Sequence, residues 1–157
     1  MIHESTTKPH PARHCGMTLI EVLVTLVIVS VGLLGIAALQ LTTIKGNQEA
    51  YVRSQASMLA SYIIDRIRAN QQGFTALQYD NIPMGGTGPA GTTAGADLTR
   101  WQAEIDRVLP GGAAVSGGSI TRLAGNTIAV TLQWSERADR TLQEAAATAT
   151  FTTRTEI

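Results

Sequence analysis

From Val22 to Leu41 the chain runs VLVTLVIVSVGLLGIAALQL, twenty residues whose polar members are Thr25, Ser30 and Gln40. No charge occurs between Glu21 and Lys45. A helix rises about 1.5 Å per residue, so this run covers roughly 30 Å, the hydrocarbon thickness of a bilayer. A buried helix of a soluble domain is the competing reading. The rest of the 157-residue chain is too small and too rich in glycine to wrap such a helix on all sides. The run is therefore expected to span a membrane. Lys8 and Arg13 precede it and outweigh Glu4, which favours a cytoplasmic N-terminus. A cleaved secretory signal is the next competitor, and Gly35, Ala37 and Ala38 imitate its small-residue site. Its apolar core is usually about 7–15 residues, however, and this one is longer.

The charge balance excludes other classes. Twelve basic side chains meet twelve acidic ones, and charged residues make up 15% of the chain, against about 25% in ordinary soluble domains. Removing Lys8, Arg13 and Glu4 leaves ten basic against eleven acidic side chains, so no nucleic-acid partner is expected. One cysteine, Cys15, excludes an internal disulfide framework. His10, His14 and Cys15 cluster in sequence, but Pro11 interrupts any helix that would bring them together, and neither a metal nor any other cofactor is expected.

The acid at the mouth of the apolar run needs a reason. A carboxylate in lipid costs on the order of 3 kcal/mol even on the most forgiving scale. The segment Gly16-Met17-Thr18-Leu19-Ile20-Glu21-Val22 resembles the start of the type IV pilin superfamily, whose leader is cut after a glycine. That resemblance implies a leader over 1–16, cleavage by prepilin peptidase between Gly16 and Met17, and methylation of the new amino group of Met17. Glu21 becomes the fifth residue of the mature chain, where the family keeps a glutamate for subunit assembly. The physics agrees with this role. At about 4 Å and an effective dielectric near 20, a carboxylate and an ammonium attract by about 4 kcal/mol before desolvation. Methylation leaves the amine protonatable.

Residues 17–41 thus form the transmembrane and assembly helix, and 42–73 continue it with an amphipathic pattern. Val52, Ala56, Leu59, Ile63 and Ile67 recur at spacings of three and four, flanked by Tyr51 and Tyr62. Asn70-Gln71-Gln72-Gly73 reads as the stop, with Gly73 suited to a left-handed cap. The runs SVGLLGIAALQ and NQEAYVRSQASMLA, followed by Asp65-Arg66-Ile67-Arg68-Ala69-Asn70, resemble the PilV family of minor pilins, the type IV pilus modification proteins. By spacing alone, Asp65, Arg66 and Arg68 are a solvated helix end with a surface ion pair worth under about 1 kcal/mol. A contact role at a pilus tip for Asp65, Arg66, Arg68 and Asn70 is what the resemblance implies.

Residues 74–96 read as a Gly/Thr/Ala-rich loop, densest in NIPMGGTGPAGTTAGA. No phosphate-loop pattern occurs in it. In 97–157, Asp97 is expected to cap a short helix with an apolar face of Leu98, Trp101, Ile105, Val108 and Leu109, stopped at Pro110-Gly111-Gly112. Strands follow over Ser119–Ala124, Thr127–Trp134 and Ala145–Thr153, with Gly125-Asn126 as a hairpin turn and a polar link at Ser135–Thr141. The expected fold is α+β: a long N-terminal helix laid on a small antiparallel sheet, as in pilins. Asp97, Glu104 and Asp106 beside Arg100 and Arg107 read as a solvated face, and from Met17 onward the chain has no His or Cys, so no enzyme is expected.

The function these readings imply is that of a minor pilin that inserts in the bacterial inner membrane with its C-terminal domain periplasmic. It is expected to reach the pilus through an inner-membrane assembly platform, beside the major pilin and other minor pilins, and to serve assembly priming, adhesion and twitching motility. A type II secretion pseudopilin shares the same leader and helix. A membrane-anchored periplasmic binding module that never polymerises is the alternative from a different class.

Overall fold

A computed structural model describes residues 17–136 and 147–157. Gly16 and the rest of the 1–16 leader lie outside the described residues, as does the link from residue 137 onward. The chain divides into two units at Ile44 and Lys45, and helix α1 (Leu19–Ala69) runs through the division.

In the first unit every described side chain is exposed. Val22, Leu26, Val29, Leu33 and Ile36 have no neighbouring element to cover them, and α1 is long and apolar enough there to cross a membrane. The polar side chains on this stretch turn inward on the helix. The hydroxyl of Thr25 donates to the carbonyls of Glu21 (2.9 Å) and Val22 (2.8 Å), and that of Ser30 to Leu26 (2.6 Å). Near the far end, Thr42 donates to Ala38 (3.1 Å) and Thr43 to Leu39 (3.0 Å). Such back-bonding hides hydroxyls that would otherwise have no partner in hydrocarbon.

The second unit has a conventional core. Along α1 the residues Ala56, Leu59, Ala60, Ile63, Ile64 and Ile67 are buried; Ala60 and Ile64 join the stripe that the spacing predicted, and Val52 at its start is only half-buried. The helix does not run on to Gly73. It ends at Ala69, and Asn70 caps a second helix, α2 (Gln71–Thr75), by accepting the Gly73 N–H at 3.1 Å. Gly73 is inside α2, and a side chain there would collide with Asn70. The turn after α2 is a Schellman closure, with Gln78 N–H on the Gly73 carbonyl (3.0 Å) and Leu77 N–H on that of Phe74 (3.1 Å). Leu77 takes the left-handed position (φ 59°) usually given to glycine.

Helix α3 (Thr93–Val108) begins five residues earlier than expected, because Thr92 caps it in place of Asp97, accepting from Gly95 N–H at 3.0 Å. Asp97 lies inside the helix and is buried. The supposed loop before it also contributes to the core through Phe74, Tyr79 and Ile82.

Three strands make one antiparallel sheet in the order β1 (Gly117–Arg122), β2 (Thr127–Ser135) and β3 (Thr148–Glu156). In β2, Ile128, Val130, Leu132 and Trp134 point into the core and alternate with half-buried polar or small residues. Strand β3 runs to Glu156, three residues past the expected end, and keeps the expected phase, with Ala149 and Phe151 half-buried against the core and Thr148, Thr150 and Thr152 exposed; Ala145 and Ala146 of the expected strand lie outside the described residues. Helix α1 and this sheet enclose α3 residues Leu98, Trp101 and Ile105 in one cluster. Trp101 donates its indole N–H to the Leu59 carbonyl (2.9 Å), and its ring lies against Gly118, where any side chain would overlap it.

Candidate functional site

The N-terminal segment is built around Thr18 and Glu21. Thr18 immediately precedes α1, and both its carbonyl (3.1 Å) and its hydroxyl (3.4 Å) accept from the Glu21 N–H. This is the Thr-x-x-Glu spacing of a capping arrangement, which starts the helix one turn before the apolar run. The Glu21 carboxylate is exposed and has no ion-pair or hydrogen-bond partner among the described residues. Met17 is also exposed. A carboxylate held at a fixed place on a helix, bordering an apolar stretch and unpaired among the described residues, can do one chemical job well: it can receive a cation from elsewhere.

The other residues singled out by sequence lie at the C-terminal end of α1. Arg68 pairs with Asp65 at 3.6 Å, an exposed contact of the kind the spacing predicted. Arg68 also reaches the sheet, donating to the Thr155 hydroxyl (2.8 Å) and the Glu156 carbonyl (3.3 Å). Arg66 lies over the Tyr62 ring, 5.2 Å from its centroid, and points toward Asp97 at 3.9 Å. Asn70 donates to the Tyr79 hydroxyl (3.0 Å), which donates in turn to Asp97 Oδ2 (3.0 Å). Asn70, Tyr79, Asp97 and Arg66 therefore form one polar chain linking α1, the turn after α2, and α3. Burial pushes the Tyr79 phenol up to about 12; the Asn70 hydrogen bond opposes this and the Asp97 carboxylate adds to it.

Asp97 is thus not part of a solvated face. Glu104 does stay on the surface, where the Arg107 guanidinium at 2.6 Å holds its carboxyl below the usual range and is itself raised. No cluster of metal-ligating side chains exists among the described residues. Tyr79 was missed by sequence reasoning and Asp97 was misread as a cap on a solvated face; the one available signal was Tyr79, which with Phe74 is one of two aromatics in 74–96.

Comparison with known proteins bears on the first of these two places. Residues 11–37 match the prokaryotic N-terminal methylation motif. The matched stretch contains Gly16, Met17 and Glu21 and runs into the apolar half of α1. No curated protein and no solved structure matches the chain. The methylation motif makes the N-terminal segment type IV pilin-like, and it implies processing by prepilin peptidase and membrane association. The apolar half of α1 fits membrane anchoring. The fold agrees with the same class, a long N-terminal helix packed on a small antiparallel sheet.

Proposed function

We propose that this chain is a minor pilin of the PilV kind, a structural subunit without catalytic activity that joins a type IV pilus. Prepilin peptidase cuts between Gly16 and Met17 and methylates the Met17 amine. Glu21 then receives the corresponding amine of a neighbouring pilin, which brings the subunit into register in the filament. Before assembly the apolar half of α1 sits in the inner membrane with the C-terminal unit in the periplasm. The assembly platform then passes the subunit to the pilus, beside the major pilin and other minor pilins, where it serves assembly priming, adhesion and twitching motility. One observation carries this reading: the methylation motif leads into the apolar half of α1, whose one acid, Glu21, has no partner among the described residues. The Asp65-to-Asn70 element, with its resemblance to PilV, favours the pilus over a type II secretion pseudopilin.

The test is Glu21→Ala in a cell that makes the filament. The expected result is normal leader removal, shown by mass spectrometry as a methylated Met17 start, with incorporation into sheared pili lost. Incorporation at the unsubstituted level would overturn the charge-pairing account. Retention of residues 1–16 in the assembled chain would overturn the pilin reading as a whole. Loss of secretion with pili intact would transfer the same chemistry to a pseudopilin.

A further inference from the structure

The two edges of the sheet are finished differently. On β1 the even-numbered backbone groups face away from β2, and those of Gly118 and the Ile120 N–H are taken. Gly118 N–H donates to Gln102 Oε1 (3.0 Å), and the Gly118 carbonyl accepts from Gln102 Nε2 (2.8 Å) and Gly85 N–H (3.1 Å). Ile120 N–H donates to the Ile82 carbonyl at 3.0 Å. On β3 the ladder to β2 uses odd-numbered residues, as its continuations Glu136 N–H to Ala147 (2.7 Å) and Ile157 N–H to Asn126 (3.0 Å) show. The even-numbered groups of β3 therefore face outward. Arg68 covers one of them, the Glu156 carbonyl. Those of Thr148, Thr150, Thr152 and Arg154 have no hydrogen-bond partner among the described residues.

Edge strands are normally protected by lysine, proline, a bulge or a covering segment. The stretch Thr148-Ala149-Thr150-Phe151-Thr152-Thr153 carries no charge and no proline, and its Thr-rich composition favours extended pairing. The free groups are also symmetric. Residues 148, 150, 152 and 154 lie evenly about Phe151, and Arg68 closes the edge just beyond them. An antiparallel copy centred on Phe151 pairs Thr150 with Thr152 of the second copy, and Thr148 with Arg154. Each pair joins two outward-facing residues, as an antiparallel ladder requires. No like charges meet. Phe151, half-exposed beside the core, then faces its own counterpart across a close non-hydrogen-bonded pair, where aromatic neighbours stabilise a sheet. The cover on β1 at Gly118 and Ile120 blocks head-to-tail continuation, so such pairing closes at two copies.

We propose that Thr148–Arg154 of β3 is a homotypic docking edge, which joins two copies of this chain into one continuous six-stranded sheet with its twofold axis at Phe151. The test uses the full chain with Cys15→Ser, purified in detergent micelles. Thr150→Cys and Thr152→Cys are prepared separately, mixed and oxidised. Residues paired in this ladder lie about 5.5 Å apart between Cα atoms, within disulfide reach. The expected result is disulfide dimer in the mixture at about ten times the yield of either variant alone, the margin that register-specific geometry implies. Thr150→Pro removes an outward N–H while leaving the β2 ladder intact, and it is expected to abolish the dimer without changing the melting of the second unit. Equal cross-linking in mixed and single samples, or a dimer that survives Thr150→Pro, would show association elsewhere and overturn the proposal. A Thr150→Cys chain that links in cells to a different protein, and never to Thr152→Cys, would assign the edge to a foreign strand and overturn it equally.

Discussion

Helix α1 obeys one set of rules up to Ile44 and another from Lys45. Up to Ile44, isoleucines, leucines and valines ring the helix and none is buried by the chain itself. From Ala56 to Ile67 the same residue types are confined to a stripe, and that stripe is the floor of the core. The same backbone element thus carries one half whose burial comes from the fold and one half whose burial must come from outside, from lipid or from other helices. Substitutions in the two halves should therefore report on different equilibria.

The sharpest contrast is between Ile63→Ala and Leu33→Ala. Ile63 is fully buried, so its truncation should lower the unfolding free energy of the second unit by about 2–5 kcal/mol. Leu33→Ala should leave that unfolding within about 0.5 kcal/mol, because its side chain is exposed. Chemical denaturation in detergent checks both, and equal losses would erase the distinction between the halves. Next in size is Gly118→Ala, where a methyl group would overlap the Trp101 ring and should cost about 1–3 kcal/mol by overpacking.

Tyr79→Phe should cost about 1–3 kcal/mol by leaving buried Asp97 Oδ2 without its donor. It should also change the alkaline limb. The Tyr79 phenol is raised from 10.0 to about 12, so the neutral form is favoured by folding. That stability is fully present below pH 10 and is lost as pH rises through 12. A melting profile across this window should flatten in the Phe variant, and an unchanged profile would refute the role given to Tyr79. Smallest, and opposite in sign, is Leu77→Gly. Leu77 is exposed and holds a left-handed backbone, so glycine should stabilise the second unit by about 1 kcal/mol.

These contrasts also explain what could be read in the sequence. The apolar run and the Ala56–Ile67 stripe were legible because periodicity records burial directly, whichever medium provides it. Strand β2 was legible for the same reason. Strand β3 was ended three residues early because Thr153-Arg154-Thr155 continues the same polar alternation without a breaker, yet the phase survived since a period of two is blind to a shift in strand ends. The early start of α3 was hidden in Thr-Ala-Gly-Ala, where no bulky residue marks a face. Asp97 was misread because its partners come from elsewhere in the chain. Tyr79 lies 18 residues earlier and Arg66 belongs to α1, so only tertiary structure brings them to the carboxylate. At the N-terminal segment, the methylation motif and the helix start were legible because both are local in sequence.

The hydrogen bond from Trp101 to the Leu59 carbonyl has a practical consequence. Both tryptophans of the chain, Trp101 and Trp134, are buried in the second unit, and neither lies in the apolar half of α1. Intrinsic emission is therefore a built-in gauge of the second unit alone. It will shift to the red when α1 peels away from α3, and it will stay silent while detergent, lipid or neighbouring helices exchange around the first unit.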